Sequence, residues 1–285
     1  MNCIMLIKQH YPSMTPVEKR IADALLTDLE KSVNSTIVYI AAKAEVSEGS
    51  VSNFATSLGY KGFSQLKINL AQSISEYTET DEIIDKDTPQ RILGKLIDRA
   101  NASFKSTLNS AGAELDRAVE YIYAARRVIV FGVGHSKVVA EDIAMRLMRI
   151  GINATAEVDP LLAGIAIGQL CENDVGIAVS NTGRTKDVIS VAKMAKSVGA
   201  KVIGFSSFSN SPLAEFCDAL LLSVSVESAV YREATTSRLT QLMLCDCLVE
   251  SLTHRMGEQA IVNLDRMVDV YEQYREAVQK DKRLN

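Results

Sequence analysis

Apolar positions in the first quarter of the chain recur every three or four residues and nowhere alternate. Val17, Ile21, Ala24, Leu25 and Leu29 fall on one face of a helix that Pro16 opens behind the N-cap Thr15. On this pattern residues 3 to 75 read as almost pure helix. From Arg127 the pattern changes to short apolar runs between helical stretches: Val128 to Phe131, Val175 to Val179, Lys201 to Phe205 and Ala219 to Leu222, with Asn153 to Val158 as a fifth. Continuous rather than alternating hydrophobicity marks strands buried on both faces, as in a parallel sheet covered by helices. The expected fold class is therefore α/β, with an all-α N-terminal domain followed by a doubly wound parallel sheet.

Between these regions, Tyr77 to Pro89 is acidic, poor in core residues and closed by proline, which marks a linker. The expected domains are residues 1–77, a linker at 78–89 and a second domain at 90–285. Gln90 to Gly112 and Glu114 to Ala125 read as two amphipathic helices, the first carrying the stripe Ile92, Leu93, Leu96, Ile97 and Ala100. They are expected to pack on the sheet domain or on its copy in a dimer.

Composition narrows the class. A chain of 285 residues with 47% hydrophobic content supports a large domain and a smaller one, soluble and globular. No apolar run approaches the roughly 18 residues of a membrane helix, and Met1 to Lys8 is too short an apolar stretch for a secretory signal, so no membrane partner and a cytoplasmic location are expected. The five cysteines (Cys3, Cys171, Cys217, Cys245, Cys247) show no CxxC spacing and read as buried thiols. His10, His135 and His254 stand apart without a second ligand at helical or hairpin spacing, so no metal and no cofactor are expected.

Two loops carry candidate chemistry. Gly132-Val133-Gly134-His135-Ser136 and Ser180-Asn181-Thr182-Gly183-Arg184-Thr185 each follow an apolar run and open a helical one. The first turn of a helix presents unpaired N–H groups and partial positive charge, and glycines admit close approach of an anion, so the pair reads as two halves of a phosphate cradle. Two alternatives stand beside it. The first is a dinucleotide turn with Glu157 or Asp159 on the ribose, against which Lys137 occupies the place of the third glycine. The second is a plain strand-to-helix turn in which Ser180 ends the strand and Thr182 caps the helix.

Upstream, Thr36 to Ala55 has the spacing of two short helices packed across a turn, with Ile40, Ala44, Val46, Val51 and Phe54 inside and Ala41 where the helices cross. Ser47 would cap the second helix, whose outward Gly49, Ser50, Ser52, Asn53 and Thr56 would face the major groove of double-stranded DNA. An ordinary helical hairpin is the plain alternative. Net charge is −4, and residues 1 to 79 hold seven Lys and Arg against eight acids. DNA binding must then rest on local charge placement and on more than one copy of the domain.

The two loops resemble the phosphosugar-binding motif of the sugar isomerase (SIS) domain over about Leu115 to Leu252. That resemblance implies a phosphosugar ligand held by Gly134, His135, Ser136, Ser180, Asn181, Thr182, Gly183 and Thr185. It further implies Ser206 and Ser207 near the sugar hydroxyls, and a segment from Glu227 to Arg238 closing over the sugar with Arg232 and Glu233 as contacts. Val46 to Phe54, Leu58-Gly59-Tyr60-Lys61-Gly62-Phe63 and Leu66-Lys67 resemble the RpiR/MurR family of bacterial transcriptional regulators, which join this helical domain to an SIS domain. Asn53 stands where relatives commonly carry arginine, and Glu45 replaces the usual turn glycine, leaving Lys43, Lys61 and Lys67 as the expected backbone contacts. The resemblance implies a homo-oligomeric (dimer or tetramer) repressor with a phosphosugar effector. A phosphosugar aldose–ketose isomerase using Glu233 or His135 as base, and a regulator acting on another protein, are the competing functions.

Overall fold

The computed structural model describes residues 3–11, 14–76, 87–225 and 235–281. They form two compact units, one gathering residues of Met1–Ala102 and Ser225–Thr236 and one gathering residues of Ser103–Val224 and Ser237–Asn285.

Up to Glu76 the described residues of the first unit form six short helices: α1 (Cys3–His10), α2 (Pro16–Leu26), α3 (Leu29–Asn34), α4 (Ile37–Lys43), α5 (Glu48–Ser57) and α6 (Phe63–Glu76). Side-chain caps set most of their starts. Thr15 and Glu18 form a reciprocal capping box on α2, and Asp28, Thr36 and Ser47 accept the amides of Lys31, Tyr39 and Ser50 at the heads of α3, α4 and α5. Leu29, expected on the stripe of the preceding helix, begins a helix of its own because the Asp28 cap restarts the chain there. The helices close over one core in which Ile4, Ile7, Ile21, Leu25, Ile40, Val51, Phe54, Leu66 and Leu70 are fully or almost fully buried. Each such side chain contributes about 1.5–3 kcal/mol relative to exposure.

Beyond the expected linker, of which only residues 87–89 are described, α7 runs from Pro89 to Ala124 and breaks at Gly112, where φ is +29° and ψ −143°. The two segments are the pair of helices read in the sequence. In the second unit, β1 (Arg127–Gly132), β2 (Ala154–Glu157), β3 (Asp174–Val179), β4 (Lys201–Ser206) and β5 (Ala219–Leu222) form one sheet of order β2-β1-β3-β4-β5, parallel throughout. Between the strands lie α8 (Ser136–Arg149), α9 (Pro160–Ile167) and α10 (Lys186–Ser197), and α11 (Thr235–Met256) and α12 (Glu258–Asp281) follow. Val128, Val130 and Ile177 face a core with α8 and α11, while Ile129, Phe131 and Ala178 face a second core with α9 and α10. Both faces of the central strands β1, β3 and β4 are covered, which is why they read as unbroken apolar runs, whereas edge strand β2 is buried only at Ala154.

At the N-terminal edge of β3, buried Asp174 accepts two bonds from Arg126 (3.1 and 2.8 Å) and one from the Cys171 amide (2.9 Å). Burial raises the pKa of the Asp174 carboxyl, but these bonds outweigh it and hold the group below its usual range. The cysteines depart from expectation. Cys3 and Cys245 are buried, whereas Cys171 and Cys217 are partly exposed and Cys247 is exposed. Two residues along α11 turn the side chain through about 200°, so Cys245 enters the core and Cys247 leaves it. Burial pushes the Cys245 and Cys217 thiols up to about 12, so neither is a thiolate at neutral pH.

Candidate functional site

The strand order places the chain's reversal between β1 and β3: from β1 it moves out to β2, then returns to the other side of β1. In an open parallel sheet the crevice at such a point, outside the carboxyl ends of the strands, is where ligands bind. Both candidate loops leave from it. Gly132 at the end of β1 pairs in register with Val179 at the end of β3, so Gly134 to Ser136 and Ser180 to Thr185 start from neighbouring strands. They lead into α8 on one face of the sheet and α10 on the other, and neither helix has a side-chain cap: His135 and Thr185 occupy the N-cap positions without capping bonds. Two helix N-termini therefore open on the same crevice.

Local packing accounts for the first-loop glycines. A Cβ at Gly132 would lie 2.7 Å from the Ser136 carbonyl oxygen, and Gly134 takes the left-handed turn at φ +58°. His135 is exposed and Ser136 half-buried. Lys137 stands in solvent opposite Glu141 at 3.6 Å. The dinucleotide alternative finds no support here: the strand order is not the 3-2-1-4-5-6 of that fold, and the Asp159 carboxylate caps α9 through the amides of Leu161 and Leu162, both at 2.9 Å.

The second loop is tied to itself. Buried Ser180 Oγ accepts the Gly183 amide (3.1 Å) and lies 3.2 Å from Thr185 Oγ1, while Thr182 Oγ1 accepts the Arg184 amide (3.3 Å). The plain-turn alternative assigned Thr182 to the helix cap. The helix instead begins at Lys186, so the Thr182 hydroxyl belongs to the loop. Gly183 has a φ of +60°, and a Cβ there would overlap Ser211 Oγ, which is buried and has no hydrogen-bond partner among the described residues. Exposed Arg184 and Lys186 supply positive charge beside the loop.

Ser206 and Ser207 follow β4 and support the loop from beneath. Ser206 Oγ donates to the Asn181 carbonyl (3.2 Å) and accepts the Phe208 amide (3.1 Å). Ser207 Oγ lies 2.6 Å from both the Asn181 side-chain amide and the Ser223 carbonyl. Having one proton, Ser207 donates to the carbonyl and accepts from the Asn181 amide turned to present its NH2. Gln241 of α11 in turn donates to Ser223 Oγ (3.3 Å). Arg232 and Glu233 lie outside the described residues.

In the first unit, α4 and α5 pack across the turn at residues 44–47, with Ile40, Ala41, Ala44, Val51 and Phe54 buried and Val46 half-buried. Ser47 caps α5 through the Ser50 amide (3.1 Å). Gly49, Asn53 and Thr56 are exposed on α5, and Ser50 and Ser52 are half-exposed. The three candidate lysines are differently held: Lys43 Nζ donates to the Ala24 carbonyl (2.8 Å), Lys67 Nζ to the Ser35 carbonyl (3.1 Å), and Lys61 is exposed just before α6.

Comparison with known proteins agrees with both halves. A helix-turn-helix domain model of the rpiR family matches residues 1–77, and an SIS domain model matches residues 121–251. An uncharacterized HTH-type transcriptional regulator of Thermotoga maritima is 32% identical over 93% of this chain and 96% of its own length. The HTH-type transcriptional regulator HexR of Escherichia coli is 29% identical over 96% of each. The NanR protein of Vibrio vulnificus, solved in complex with ManNAc-6P, matches with a TM-score of 0.62 at 26% identity, covering 96% of this chain and 99% of that one.

A helix-turn-helix unit joined to a parallel-sheet SIS unit defines a transcriptional regulator and not one of the isomerases that share the sheet fold. Its similarity to whole-length regulators settles the lineage: the chain belongs to the RpiR family of HTH-type transcriptional regulators. No helix among the described residues is long and apolar enough to cross a membrane.

Proposed function

We propose that the chain is a cytoplasmic repressor that releases DNA when a phosphorylated sugar or amino sugar occupies the crevice between β1 and β3. One observation carries the reading: the two hydroxyl- and glycine-bearing loops start from register-paired strands and lead into two helix N-termini without side-chain caps. A phosphoryl group fits such a place because amides and hydroxyls supply donors and the helix ends supply partial positive charge. Gly134, His135, Ser136, Ser180, Asn181, Thr182, Gly183 and Thr185 hold the phosphate in this reading, and Glu233 reaches the sugar. Ser206 and Ser207 act by bracing Asn181. The ManNAc-6P bound by the NanR neighbour makes amino-sugar phosphates the first class to try.

The DNA face is formed by Ser47, Gly49, Ser50, Ser52, Asn53 and Thr56 with Lys43, Lys61 and Lys67, across residues 1–77 and ahead of a linker at 78–89. Two copies are required, since the balanced charge of one unit gives weak binding. Exposed Val138, Met145 and Met148 along α8 and Val268, Tyr271 and Tyr274 along α12 support a homo-oligomer, because large apolar side chains in such number favour a second copy. The test is fluorescence anisotropy on DNA from the chain's own promoter region, titrated with ManNAc-6P and a panel of sugar phosphates. Affinity should fall about 5- to 150-fold with the cognate ligand. Unchanged affinity across the panel would remove the sensor role, and turnover of any member would make the protein an enzyme.

A further inference from the structure

Buried hydroxyls continue past the serines under the second loop to a helix that is not part of the crevice. Along α7, Ser103 and Thr107 lie buried one turn apart, whereas Leu108 is 75% exposed. A helix ordinarily turns its apolar side inward, so a hydroxyl held there instead answers to a particular acceptor. For Thr107 that acceptor is main chain: its Oγ1 donates to the Val224 carbonyl (3.2 Å), just past the end of β5. Val224 adjoins Ser223, whose amide donates to the Ser206 carbonyl (2.9 Å) and whose carbonyl accepts Ser207 Oγ (2.6 Å). The Ser223–Val224 stretch is thus held by the loop-bracing serines on one side and by α7 on the other.

Ser207 also has a second place to bond. Its Oγ lies 3.4 Å from Ser223 Oγ, so when Asn181 moves, the single hydroxyl proton can turn from the Ser223 carbonyl to the Ser223 hydroxyl. Release of that carbonyl frees the peptide plane between Ser223 and Val224 to rotate, and the Val224 carbonyl shifts with it. Two discrete pairings of this kind are what energetic coupling between distant groups requires. We propose that Thr107 is the positioning residue through which the state of the second loop reaches α7, the first helix described after α6 of the DNA-binding unit. The inference rests on the phosphosugar-sensing reading and deepens it by naming the carrier. Gln241 of α11 is less suited, because it bonds the Ser223 side chain rather than the main chain, and α11 leads toward the C-terminus.

Two measurements on the full chain test the role of Thr107. The first, without ligand, follows hydrogen exchange at the α7 amides from Ser103 to Ala111, with the α8 amides as reference for any general loss of stability. S207A should speed exchange in α7 about two- to tenfold, the worth of one neutral hydrogen bond, and should add nothing once T107V is in place. S197A, which removes a hydroxyl bonded to the Met194 carbonyl on α10, should leave α7 as in wild type. The second measurement adds ManNAc-6P. T107V should keep the wild-type thermal shift with this ligand, while the ligand's effect on DNA affinity shrinks about two- to tenfold. Effects of S207A and T107V that add, or α7 amides that respond to S207A no more than those of α8, overturn the assignment. So does a T107V chain whose DNA response to ManNAc-6P equals that of wild type. A wild-type chain that binds no phosphosugar overturns the sensing reading instead, and the exchange data still decide whether Thr107 is joined to the loop.

Discussion

The turn between α4 and α5 contains a backbone cost that one substitution should relieve. At the end of α4 the Val46 amide donates to the Ala41 carbonyl (2.9 Å) and the Glu45 amide to the Ala42 carbonyl (3.2 Å), the paired bonds of a Schellman cap. That cap needs a left-handed residue, and Glu45 supplies it at φ +54°, alone among the described non-glycine residues. The same cap ends α5, α8 and α10, where Gly59, Gly151 and Gly199 take φ of +88°, +93° and +86°. A side chain in this conformation costs about 1–2 kcal/mol, and glycine returns about 0.5–1 kcal/mol of that as extra freedom in the unfolded chain. Glu45→Gly should thus stabilise the first unit by about 0.5–1 kcal/mol. Hydrogen exchange of the α4 and α5 amides in the full chain reads this directly, as protection about two- to fivefold greater than wild type. Glu45→Ala and Glu45→Gln keep the Cβ and serve as controls, expected within about 0.5 kcal/mol of wild type. If Glu45→Ala gained as much protection as Glu45→Gly, relief of the left-handed conformation could not be the cause.

Gly183→Ala combines a positive φ with overlap on Ser211 and should destabilise the second unit by about 1–3 kcal/mol. Thermal shift by phosphosugar should vanish with it, and adding Ser211→Gly should restore part of the melting temperature but not the left-handed strain. Asn53→Arg, on the exposed face of α5, should steepen the salt dependence of DNA binding by about 0.9 per protomer, and a slope equal to wild type would place Asn53 away from the duplex. Asp174, whose pKa lies lower folded than unfolded, contributes stability that is complete above the ordinary carboxylate range and lost as pH falls below about 4. Asp174→Asn should lower stability at neutral pH by about 1–3 kcal/mol and flatten the acid limb of the melting curve, and an acid limb as steep as wild type would contradict the assignment.

What the sequence disclosed depended on whether the signal was local. The central strands were readable because both faces of the sheet are covered there, so their apolar runs are unbroken, and helix starts were readable at Thr15 and Ser47 because a cap and its partner lie three residues apart. The break at Gly112 was likewise visible as a glycine between two amphipathic stretches. Strand order was not, because nothing in an apolar run names its neighbour. Nor was the bracing role of Ser206 and Ser207, whose partner Asn181 lies 25 and 26 residues away. Asp159 gave a misleading signal, since an acid after a strand serves equally as a helix cap.

The second loop also shows how occupancy would be felt. Its donors are paired within the loop: the Gly183 amide binds Ser180, the Arg184 amide binds Thr182, and Ser180 faces Thr185. An anion that takes these loop donors, in addition to the uncapped helix ends, would displace neutral bonds each worth about 0.5–1.5 kcal/mol net and replace them with charge-assisted bonds worth about 1.5–3 kcal/mol. The exchange is favourable, but it requires the loop to rearrange. Asn181 moves with the loop, and it is fastened through Ser207 and Ser223 to Gln241 on α11, so a shift in the loop loads that buried polar chain. A usable switch needs about 1–3 kcal/mol of coupling, the worth of one or two exchanged bonds. A crevice lined by fixed arginines would bind phosphate more tightly with no such rearrangement. Self-paired hydroxyls would give up affinity in exchange for a loop whose conformation depends on the ligand.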